Sequence, residues 1–72
     1  MATYKLTLPD GKIVIKTSKI DSYKFASVVD FGNGWRLKGF SSEKEGSQII
    51  VNKWVAWGVG TVDAKVVNVE RM

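Results

Sequence analysis

The sequence predicts an all-β fold: a single domain over residues 1–72, built as a small antiparallel barrel of SH3-like or OB-like shape with about six or seven short strands. Three observations predict it. Apolar residues recur with period two rather than 3.6. Two tight-turn signals, Pro9-Asp10-Gly11-Lys12 and Gly32-Asn33-Gly34, sit between such runs. The last third is rich in β-branched residues and punctuated by glycine. In so small a chain, closing the sheet on itself removes exposed edges. A two-layer sandwich, or an α+β arrangement with one short helix near residues 18–26, is the alternative.

The first hairpin follows from Tyr4, Leu6 and Leu8 alternating with Lys5 and Thr7, and from Ile13 and Ile15 alternating with Lys12, Val14 and Lys16. A three-residue loop sets Leu8 opposite Lys12 and mixes the faces. A four-residue loop sets Leu8 opposite Ile13, Leu6 opposite Ile15 and Tyr4 opposite Thr17. The second register gathers the apolar side chains on one face, and it is the one expected. Ser18-Lys19-Ile20-Asp21 has the makings of a single helical turn, with Ser18 as its cap. From Tyr23 the alternation returns, and a strand is expected.

The central hairpin runs through Phe31-Gly32-Asn33-Gly34-Trp35. With Gly32-Asn33-Gly34 as the loop, Phe31 falls opposite Trp35, Val29 opposite Leu37, and Asp30 opposite Arg36. One face becomes apolar and the other gains an ion pair. Ser41-Ser42-Glu43-Lys44-Glu45-Gly46-Ser47 reads as a solvated connection. Beyond it, Ile49-Ile50-Val51 and Trp54–Val59 read as two strands joined at Asn52-Lys53, the second turning Val55, Trp57 and Val59 inward. Gly58 and Gly60 suit a bulge or barrel corner. Lys65–Glu70 reads as the final strand, with Val67 and Val69 inward.

Composition excludes several chemistries. Cysteine and histidine are absent, so there is no disulfide, thiolate zinc site, catalytic thiol or imidazole base. No Asp-rich calcium loop or phosphate-cradling glycine motif occurs, and Gly32-x-Gly34 lacks the third glycine and helix of a dinucleotide site. The expectation is a protein that is not an enzyme and needs no cofactor or metal. No apolar run approaches a membrane span, and the amino terminus lacks a signal-peptide core. A cytoplasmic location is expected. The general character of the chain resembles small bacteriophage and mobile-element proteins, with no motif carrying the likeness.

Function is weighed between two classes. Net charge is +4, and nine of the eleven basic residues are Lys. Small barrels bind single strands by stacking bases on exposed aromatics beside basic side chains. The residues singled out for DNA or RNA are Lys24, Arg36, Lys38 and Lys53 for phosphates, with Phe40 and Trp54 for stacking. The alternative is a protein-interaction module (an oligomeric subunit, adaptor or inhibitor), with Trp54, Tyr23 and Phe40 as anchors. Basic residues clustered with exposed aromatics would favour the first class, and an uncharged aromatic patch the second.

Overall fold

The computed structural model describes residues 1–72 as five antiparallel strands and one helix. These are β1 (Ala2–Thr7), β2 (Ile13–Ser18), β3 (Phe25–Asp30), β4 (Trp35–Ser41), α1 (Lys44–Gly58) and β5 (Asp63–Arg71). The spatial order is β2-β1-β5-β3-β4. The sheet curls into a half-barrel, leaving β2 and β4 as its free edges. The expectation of an all-β closed barrel is therefore corrected: the protein is mostly β, with one helix and an open seam. The helix lies at 44–58, not at 18–26, where Ser18 Oγ instead accepts a hydrogen bond from Ile20 N–H (3.1 Å).

The concave side of the half-barrel holds the main core. Leu6, Leu8, Ala26 and Val28 are buried there, flanked by Val14, Trp35, Leu37, Phe40, Val67 and Val69. Val67 and Val69 thus point where the sequence placed them. At one end Tyr4 is wholly buried, with its ring against Tyr23 and Phe40. Its hydroxyl donates to the Ile20 carbonyl (2.6 Å) and accepts from Tyr23 N–H (3.2 Å). Those two bonds tie the irregular segment between β2 and β3 over the core.

Turn chemistry overrides apolar pairing in the first hairpin. Leu8 N–H donates to the Lys12 carbonyl and Gly11 N–H to the Leu8 carbonyl, closing a three-residue loop with Gly11 at φ 93°. A short loop with glycine in the left-handed position is a favoured hairpin geometry. It sets Thr7 opposite Ile13 and Leu6 opposite Val14, one residue away from the expected register. Val14 then turns inward, while Ile13 and Ile15 are left more than half exposed.

The central hairpin is also corrected by one residue. Asp30 Oδ1 accepts from Gly32 N–H (2.6 Å) and Gly34 N–H (3.2 Å), so Asp30 ties the loop instead of facing Arg36. Asp30 stands opposite Trp35, Val29 opposite Arg36 and Val28 opposite Leu37. Gly34, at φ 114°, supplies a backbone conformation that side-chain-bearing residues rarely adopt. A register shift follows between Ser27 and Val28, after which Ser27 meets Gly39, leaving Lys38 as the extra residue of a bulge. Phe31 is released from the ladder and separated from Trp35.

The two strands expected over 49–59 are one helix. Ser47, Ile50, Val51, Trp54 and Gly58 recur at helical spacing and form its covered stripe. The helix packs on β3, β4 and β5 across the face opposite the concave core. Small residues let it approach closely. Ser27 Oγ donates to the Ser47 carbonyl (2.8 Å), and a Cβ on Gly39 would sit 3.1 Å from Ile50 Cδ1. The helix stops at Val59, whose left-handed backbone (φ 33°) directs its N–H to the Val55 carbonyl (3.0 Å). Val55, Trp57 and Val59, expected inward, are all exposed, Trp57 at 71%.

Candidate nucleic-acid interface

The site grows from the Asp30 loop and the carboxy-terminal half of α1. Because Asp30 holds the loop backbone, Phe31 swings toward the helix, where Trp54 and Trp57 project one turn apart. The three rings meet edge to face. Phe31 and Trp54 lie 5.3 Å apart at 78°, Trp54 and Trp57 5.7 Å at 79°, and Phe31 and Trp57 6.2 Å at 89°. Mutually perpendicular aromatic rings are a favoured packing because the positive edge of one meets the negative face of another.

The bulge aims Lys38 at this corner. Its Nζ is 5.2 Å from the Phe31 centroid and 5.2 Å from the Trp54 centroid, so one ammonium sits over two rings. Such contacts attract through the ring quadrupole, by about 0.5–1 kcal/mol each where exposed. Beside the rings, Ile50, Lys53, Trp54 and Trp57 line a surface cavity of about 470 Å³. Its lining contains no carboxylate, and no group of carboxylates elsewhere converges as a metal site. Arg36, exposed and two residues before Lys38, stands opposite Val29 on the same strand edge.

Three of the six residues singled out from sequence, Lys38, Lys53 and Trp54, therefore meet in one patch, with Arg36 next along β4. The other two lie elsewhere. Lys24 precedes β3, with its N–H on the Ser41 carbonyl and its carbonyl on Val69 N–H. It is separated from the Phe31 loop by the length of the strand, about 20 Å. Phe40 stacks on Tyr23 (5.2 Å, 17°) at the concave core and presents no ring to the patch. Phe31 and Trp57 belong to the patch without having been assigned to it. For Trp57 the signal was the i, i+3 spacing with Trp54 behind Ile50 and Lys53, which is helical rather than alternating; for Phe31 the sequence carried none.

No protein-family model, no curated protein and no solved structure matches this chain. The molecule is a curled five-strand half-barrel carrying one helix, with an aromatic and lysine patch where that helix meets the β3–β4 loop. No helix in it is long and apolar enough to cross a membrane.

Proposed function

We propose that this patch binds nucleic acid, and that the protein acts as a small non-enzymatic binding module. The observation that carries the reading is the convergence of Lys38 and Lys53 on the corner formed by half-buried Trp54 and exposed Trp57, with Arg36 beside them and no acidic residue in the cavity lining. Trp57 offers an uncovered ring for a base to stack on, and stacking contributes about 1–3 kcal/mol per base. The cations lie where the flanking phosphates would pass. Perpendicular rings leave room for separated bases of a single strand, DNA or RNA, more readily than for a stacked duplex.

A labelled oligonucleotide titrated at several salt concentrations tests this. Binding weakens as salt rises, and the slope of log affinity against log salt counts the phosphates neutralised. Arg36→Ala, Lys38→Ala and Lys53→Ala each lower that slope by about 0.7–1, whereas Lys24→Ala, at the far end of the hairpin, leaves it unchanged. Absence of binding to single-stranded DNA, duplex DNA and RNA alike, with the fold intact, refutes the reading. Protein interaction is the second reading. Ile13 and Ile15, both more than half exposed and on one face of β2, favour it, since adjoining exposed apolar side chains are where partner contacts form.

A further inference from the structure

We propose that the open seam between β2 and β4 accepts an extended acidic peptide segment, which adds to β2 as a sixth strand. The seam is a different groove from the aromatic patch, sharing only Arg36 and Lys38 with it, and three observations support the proposal. The first is a free edge. The Leu8–Lys12 bond makes Leu6–Val14, Tyr4–Lys16 and Ala2–Ser18 the bonded pairs of the first hairpin, because bonded pairs recur every second residue. The backbone N–H and C=O groups of Ile13, Ile15 and Thr17 therefore point away from β1 into the seam. The Met72 N–H bond to the Thr3 carbonyl agrees with this alternation, since it turns the odd residues of β1 toward β5.

The second observation is an apolar floor. Leu8, Val14, Trp35 and Leu37 line a groove of about 370 Å³ between the two edge strands. Val14, Trp35 and Leu37 pack against the core yet remain partly uncovered. An added strand would lay every second side chain on this floor, as peptides do when they extend a sheet edge.

Charge is the third. The remaining lining residues are Lys16, Arg36 and Lys38, with no carboxylate among them. That selects an occupant with carboxylates at alternate positions. It also disfavours a second copy of this chain, whose β2 would bring its own Lys12 and Lys16 to the same seam. Like charges set across adjoining strands are destabilising.

The probe is a fluorescein-labelled peptide of about ten residues alternating Val and Glu, compared with one alternating Val and Lys. Binding is followed by anisotropy, and the contacted edge by amide hydrogen exchange on the full chain. The Glu peptide slows exchange at Ile13, Ile15 and Thr17 by at least about tenfold, while amides bonded to β1 change little. It also binds at least about tenfold more tightly than the Lys peptide. Ile15→Pro abolishes binding without breaking the β1–β2 ladder, because the lost N–H is the outward one. Lys16→Glu weakens binding while preserving every backbone bond, so a folding failure of the proline variant leaves the proposal testable. Ile15→Pro, which changes no charge, leaves oligonucleotide binding at the aromatic patch unaltered. Equal binding of the two peptides, or no added protection at the three amides, overturns the proposal. So does protection that rises with protein concentration in the absence of peptide, which would make a second copy the occupant.

Discussion

Replacing Trp57 with alanine separates the binding surface from the core, because the period-two reading and the structure expect opposite results. A buried tryptophan costs about 3–5 kcal/mol when truncated. Trp57 keeps 71% of its surface exposed, so less than a third of that packing is at stake, about 1 kcal/mol. The edge contacts to Trp54 and Phe31 add about 0.5–1 kcal/mol. The total of about 1–2 kcal/mol falls well inside the roughly 4–11 kcal/mol expected for a chain of this length, so the variant stays folded. Urea titration with an unchanged slope measures that loss. Oligonucleotide affinity, in contrast, drops by about 1–3 kcal/mol, or roughly five- to 150-fold, as one stacking surface disappears. Its salt slope stays the same because no phosphate contact is removed. A stability loss above about 3 kcal/mol would place Trp57 in the core and discard the helical assignment. Unchanged affinity in a protein that still binds would remove Trp57 from the interface.

Two further substitutions examine what holds the scaffold. Tyr4→Phe removes the hydroxyl that joins Ile20 to Tyr23, leaving a carbonyl and an N–H without that partner; the expected cost is about 1–2 kcal/mol in denaturant titration. Faster exchange at the Tyr23 amide accompanies it, and wild-type stability would show that the bridge contributes nothing. Gly58→Ala ordinarily favours a helix by about 1 kcal/mol. Here the new Cβ would lie 2.6 Å from Val62 Cβ and closer still to its Cγ2, so the melting temperature is expected to fall; a rise would mean that Val62 does not pack there.

The sequence by itself determined the features that depend on near neighbours. Alternation and turn residues mark β1, β2, β3, β4 and β5, both hairpins, and the inward Val67 and Val69. Of the six side chains chosen for charge and aromatic character, Lys38, Lys53 and Trp54 fall together, with Arg36 next along β4, while Lys24 and Phe40 lie elsewhere. Tertiary structure decided what local pattern leaves open. Register moved by one residue in both hairpins, because Gly11 at positive φ and the Asp30 carboxylate closed loops of a different length from the ones that best sorted apolar side chains. The run from Ile49 to Val59 satisfies period two and helical spacing at once. Only a complementary surface chooses between them, and Ser27 and Gly39 provide one flat enough for Ser47 and Ile50 to settle on. That choice turned Trp57 outward and left the chain with too few strands to close a barrel. Phe31 and Trp57 lie far apart in sequence, in segments read as separate strands. Their meeting is a consequence of the helix crossing the sheet, which no spacing along the chain encodes.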